Sequence, residues 1–244
     1  MSSSPAEPWS IVARNLPDHA NNPIHTDAGA RAQGFERALV AGVTTYAYLC
    51  HPVSDRWGLD WVALGASEVR FRSPVFDGDT VLFPVTDRDD GGIDVDAVVE
   101  RSPRPLVTMS AWSVHRAPFV PRDGERLETV SLTLEGEYGS GYADRAGDGQ
   151  RACLDAGAVH PAVWPALGNY VFHRQVVRGS WIHTRSIVRH HALVPEGSVA
   201  DIATTVVERF QRSGERAIAD VVITVDGAVV ASIEHEAIID LASR

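Results

Sequence analysis

The run Ala38-Leu39-Val40-Ala41-Gly42-Val43-Thr44-Thr45-Tyr46-Ala47-Tyr48-Leu49-Cys50 is apolar or weakly polar on every side. A surface helix shows its apolar residues as a stripe, so a helix that is apolar all round has to be covered all round. The flanking sequence offers sheet for that purpose. Trp61 to Val81 alternates apolar and polar residues before a turn at Asp77-Gly78-Asp79, and Ile93–Glu100 and Leu106–Val114 read as two further strands joined around Ser102-Pro103-Arg104-Pro105.

The same order recurs in the second half. Pro161 to Phe172 reads as a second central helix, and Trp181 to Val199 answers the strand region after the first. Ala217–Val225 and Ala228–Ile239 close the repeat across Asp226-Gly227, a dipeptide that favours a tight hairpin. The expected organisation is therefore residues 1–120 as a first unit, 121–157 as a Gly-, Asp- and Glu-rich linker with the first part of the second repeat, and 158–244 as its remainder.

Just ahead of the first apolar run stands the turn Asn22-Pro23-Ile24-His25-Thr26-Asp27. Pro23 fixes one backbone angle and biases Asn22 toward extended backbone, so His25 is presented from a rigid turn. Asp27 fits the N-cap of a short helix through Ala28, Ala30, Arg31 and Ala32, and Gly34 suits a left-handed residue at its end. Gly42, followed by Val43, lies near the first turn of the long helix, where a backbone N–H with no side chain in the way can donate to a carbonyl oxygen that gains charge during reaction.

These residues resemble the MaoC-like, (R)-specific enoyl-CoA hydratase/dehydratase family, whose signature is D-x-N-P-x-H-x-D followed by a segment similar to F-x-R-P-I-x-H-G. Asn22, Pro23, His25, Asp27, Phe35, Arg37, Val40 and Gly42 match it. The resemblance implies an α+β double hotdog fold, with two antiparallel sheets each wrapped around a central helix. It also implies hydration of a trans-2-enoyl thioester, or dehydration of a 3-hydroxyacyl thioester, carried on CoA or acyl-carrier protein. Carried over by position, His25 is the catalytic histidine and Gly42 the oxyanion donor, with Asn22, Pro23, Arg37 and Val43 about the substrate. The family Asp falls on Ala20, and the nearest upstream carboxylate is Asp18, which serves if Ala20 and Asn21 bulge outward; otherwise Asn22 or Asn21 orients the water. Ala41 stands where many relatives carry a His beside the glycine. The second half has no Asn-Pro-x-His turn, so one site per chain is expected.

Alternatives are a hotdog acyl thioesterase and a non-catalytic acyl-thioester binding protein. Hotdog thioesterases use a carboxylate at or near the central helix, and the apolar run carries none after Glu36. No G-x-S-x-G, G-x-G-x-x-G or P-loop pattern occurs, so neither a serine nucleophile nor a nucleotide cofactor is expected. His183, His190, His191 and His235 fall on predicted strands without zinc spacing and read as exposed strand positions, so no metal is expected. The formal charge is −10 and every basic residue is Arg, without a basic block; this disfavours nucleic acid and anionic membrane as partners. The two cysteines, Cys50 and Cys153, give no disulfide framework, and no apolar run approaches membrane-spanning length, so a cytoplasmic protein is expected, with assembly as a homodimer left open.

Overall fold

The computed structural model describes residues 8–115 and 118–240. The first half runs β1 (Trp9–Val12), α1 (Asp27–Ala32), α2 (Gly42–Leu64), β2 (Ala66–Phe71), β3 (Thr80–Phe83), β4 (Val85–Asp87), β5 (Ile93–Ala97) and β6 (Val107–Trp112). The second runs β7 (Glu125–Arg126), β8 (Val130–Thr133), α3 (Tyr142–Arg145), α4 (Ala152–Ala156), α5 (Val163–Gln175), β9 (Ile182–His190), β10 (Val199–Gln211), β11 (Glu215–Val225) and β12 (Ala228–Asp240).

The sheets of the two halves are not separate. β4-β5-β6-β2 and β9-β12-β11-β10-β7 join edge to edge in one ten-stranded sheet, while β1 and β3 pair apart from it. The seam is the antiparallel pair β2–β9, in register from Ala66 opposite Arg189 to Arg70 opposite Arg185. Joining removes two exposed strand edges, which otherwise invite pairing with other chains. Arg185 pairs with Glu68 across the seam (3.0 Å) and with Glu234 on β12. β8, inside the segment between the halves, pairs with the start of β10 as β1 pairs with β3.

Helix α2 packs on β2, β5, β6 and β9, and α5 on β9 and β12. Every residue from Val43 to Cys50 is buried, which accounts for the absence of a polar stripe. The hydroxyls in this stretch find partners inside: Tyr46 and Ser67 are 2.7 Å apart, and Tyr48 donates to the Ala146 carbonyl at 3.0 Å. Cys50 and Cys153 are buried free thiols. Among the described residues no helix is long and apolar enough to cross a membrane.

Two sequence expectations are corrected. Trp61–Leu64 is helix and not strand: α2 breaks at Gly58 (φ 60°), resumes, and gives way at Gly65. A Cβ at Gly65 would lie 2.0 Å from the Trp61 ring, so only glycine lets the chain turn there beneath the indole. His183, His190 and His235 are buried and not exposed, because β9 and β12 lie in the interior of the joined sheet with helices packed on them.

Since Leu49 is wholly enclosed on α2, Leu49→Ala is expected to cost about 2–5 kcal/mol in urea unfolding. A loss below about 1 kcal/mol would contradict the enclosed helix.

Candidate active site

The Asn-Pro-Ile-His turn is a 3-10 turn over Pro23–His25, opened by extended backbone at Asn22. Thr26, and not Asp27, caps α1: its hydroxyl accepts from Gly29 N–H at 3.1 Å and donates to the Pro23 carbonyl at 2.9 Å. Gly29 is required there, since a Cβ would sit 2.1 Å from the Pro23 oxygen. Asp27 is left to accept from Ala38 N–H at 2.9 Å, and that bond, first among several, holds its carboxyl below the usual range. Gly34 takes the left-handed conformation expected of it (φ 82°).

The turn is fastened to the strand-like segment that leads into α2. Leu39 N–H donates to the Ile24 carbonyl at 3.0 Å, and His25 Nδ1 lies 2.8 Å from the Leu39 carbonyl. A carbonyl can only accept, so Nδ1 carries the hydrogen and Nε2 of the neutral ring is the free base. Burial holds the His25 pKa below its ordinary 6.5, against a smaller upward effect of the Leu39 bond.

Gly42 is the first residue of α2. The first N–H groups of a helix have no intrahelical acceptor, and among the described residues no acceptor meets the Gly42 N–H. His25 and Gly42 line one cavity of about 230 Å³, with Asn22, Phe71, Arg72 and His183 also on its wall. Asn22 is buried; its amide donates to the Trp181 carbonyl at 2.9 Å while Oδ1 has no partner among the described residues. Among the described residues no carboxylate lines this cavity, and Arg72 stands exposed on it.

The other expected residues lie elsewhere. Asp18, on the 3-10 turn Pro17–His19, pairs with Arg145 and lines a separate cavity of about 80 Å³, divided from the first by Asn22 and Trp181. Its charge acts on His19. Val43 lines that smaller cavity, Pro23 is exposed on the turn, and Arg37 is engaged by Asp79 (2.8 Å) and the Asp77 carbonyl (2.9 Å). The carboxylates on α2 beyond Cys50, Asp55 and Asp60, are exposed and absent from both cavities.

Sequence reasoning passed over His19. Its Nε2 meets Thr44 Oγ1 and Tyr142 OH, both at 3.2 Å, and its ring lies 5.9 Å from that of His25. It sits next to Asp18 in the chain, but Tyr142 comes from the other half, so no local pattern marks it.

Four histidines, His160, His190 and His235 buried and His19 half-buried, have no carboxylate hydrogen-bonded to the ring. Burial pushes His19 and His190 down to about 4, and His160 and His235 to about 3, from the ordinary 6.5. Between pH 6.5 and about 4 the unfolded chain therefore binds protons that the folded chain refuses, and stability falls as pH falls. Each such group removes up to about 1.4 kcal/mol per pH unit in that window. The expected outcome is a urea midpoint that drops steadily from pH 7 to pH 5, before carboxylates titrate; a flat midpoint there would contradict these burials. Among the described residues no group of three or more His, Cys, Asp or Glu is arranged to hold a metal ion.

Residues 18–102 match the family model of the MaoC like domain. Among solved structures, the fold is similar to a Chloroflexus aurantiacus MaoC domain protein assigned as a dehydratase, at TM-score 0.66 and 14% identity over 96% of this chain and 95% of that one. It is similar to a conserved Mycobacterium tuberculosis protein with a double hotdog fold, at TM-score 0.63 and 12% identity over 96% of each chain. A Lactobacillus plantarum protein assigned as an oleoyl thioesterase aligns at TM-score 0.57 and 10% identity, again over 96% of each chain. No curated protein sequence matches.

Proposed function

We propose that this chain, a MaoC-like double hotdog protein, adds water reversibly across the double bond of a trans-2-enoyl thioester. The observation that carries the reading is that His25, whose Nε2 is the free base, and Gly42 at the start of α2 line one cavity in which no carboxylate stands among the described residues. A base and a carbonyl-binding N–H in a shared, largely apolar chamber suit an addition that needs one proton carried and one oxygen polarised.

In the proposed reaction the thioester oxygen accepts from the Gly42 N–H, which draws electron density from C3. Asn22 Oδ1, buried and unpartnered, accepts from the attacking water. His25 Nε2 takes the proton from that water as its oxygen bonds to C3, and returns the proton to C2. The product is the 3-hydroxyacyl thioester, and the reverse sequence is dehydration. Arg72 at the cavity is placed for a phosphate of a CoA or carrier-protein arm. Asp18, paired with Arg145, serves in this reading to hold the loop around His19 and carries no proton. Hydrolysis is disfavoured because no carboxylate stands in the chamber among the described residues.

With a short trans-2-enoyl-CoA, His25→Ala is expected to lower the loss of conjugated absorbance by about 10²–10⁴-fold, while Asp18→Asn stays within about tenfold of wild type. The wild-type rate should fall on the acid side with a pKa below 6.5, since only neutral His25 is a base. Unchanged turnover in a folded His25→Ala protein would sink the assignment. A wild type that binds the thioester without turnover would instead make the chain an acyl-thioester binding protein.

A further inference from the structure

His183 has no part in the mechanism above, yet it is the side chain that comes nearest to the start of α2 from the second half. It is buried (6% exposed), lines the His25 cavity, and its Nδ1 has no hydrogen-bond partner among the described residues. That atom lies 3.4 Å from where a Cβ on Gly42 would sit. Phe71 packs against its ring at 4.6 Å between centroids.

The fold takes trouble over this placement. Strict alternation on a strand would put His183 and Ser186 on opposite faces. Instead the β9–β12 register slips: Ala237 faces His183 and Glu236 faces Arg185, leaving Thr184 as an extra residue. Such a bulge re-aims the side chains beside it, and both His183 and Ser186 turn inward. Thr184 secures the bulge by donating to the Glu236 carboxylate at 2.9 Å.

Ser186 then bridges two imidazoles, with its hydroxyl oxygen 2.8 Å from His183 Nε2 and 3.0 Å from His235 Nδ1. A serine bonded to a histidine is the arrangement of a nucleophile pair. Ser186, however, is fully enclosed and does not line the cavity, so it cannot reach a substrate. One assignment of hydrogens makes the row point at the site: His235 Nδ1–H donates to Ser186, Ser186 O–H donates to His183 Nε2, and the hydrogen of neutral His183 is left on Nδ1. Gly168 on α5 admits this row, since a Cβ there would already lie 3.2 Å from His235 Nδ1.

We infer that His183 Nδ1–H is a second donor to the carbonyl oxygen bound at the Gly42 N–H, so that the oxyanion site is assembled from both halves of the chain. The inference rests on the thioester reading of this cavity. A neutral imidazole fixed by neighbours is an effective polariser of a carbonyl, and its worth follows from donating where charge develops. It also gives the half without the Asn-Pro-x-His turn a chemical role at the site.

The test pairs turnover with a readout that needs none. The carbonyl stretch of ¹³C-carbonyl butyryl-CoA, a saturated thioester that cannot be hydrated, reports polarisation directly. Wild type should lower it relative to free ligand; His183→Phe should move it back and reduce enoyl-CoA hydration by about 10²–10³-fold. His183→Asn, which keeps an amide donor near the Nδ1 position, should recover part of both, and Ser186→Ala, a smaller change, should lose part of both. Circular dichroism and unfolding midpoints establish that each variant is folded. Hydration that proceeds with a band indifferent to His183 and Ser186 would overturn the inference and leave the hydratase reading standing. A His183-dependent band in a wild type that hydrates no enoyl thioester would do the reverse.

Discussion

The site depends on where helix α2 begins. Its first N–H groups must either find acceptors or face a chamber that supplies one, and three bonds decide the matter by fastening the His25 turn to the segment ahead of the helix: Ala38 N–H to Asp27, Leu39 N–H to Ile24, and His25 to the Leu39 carbonyl. Together they set the ring of His25, its tautomer and the open start at Gly42 in one stroke. A helix buried on every side could not be shifted to compensate, because any slide would expose Val43 to Cys50 or drive them into the sheet.

Much of the frame was legible because it is written in strong local terms. An all-apolar helix demands cover, Asp226-Gly227 marks a hairpin, and the strands on both sides of it fall within a few residues of expectation. The Asn-Pro-Ile-His turn likewise announces a rigid presentation of His25. What stayed hidden is non-local. Trp61 to Leu64 is an apolar run too short to separate strand from helix, and the boundary is drawn by Gly65 lying under Trp61. The inward turn of His183 comes from a single-residue slip against β12, which a period-two pattern read along one strand cannot contain. His19 meets Tyr142 only because the two halves pack together. Asp18, close to His25 in the chain, lies beyond Asn22 and Trp181 in space, since Arg145 draws it to the other cavity.

The seam between the halves emerges as more than a joint. β2 and β9 pair there, Arg185 ties Glu68 to Glu234 across it, and the cavity takes Phe71 from one side and His183 from the other. Fusing two similar units into one chain lets each wall of that cavity diverge. One half carries the Asn-Pro-Ile-His turn; the other brings His183 to the same cavity from across the sheet. A single-unit dimer would have to carry both roles on one sequence.

The central claim, addition of water to carbon three of an intact thioester, is tested most directly by isotope. Wild-type protein is incubated with trans-2-butenoyl-CoA in ¹⁸O water and the products are read by mass spectrometry. The account predicts one ¹⁸O in a 3-hydroxybutanoyl-CoA whose thioester survives. Label in a free carboxylate, with CoA released, would contradict it and make the chain a thioesterase.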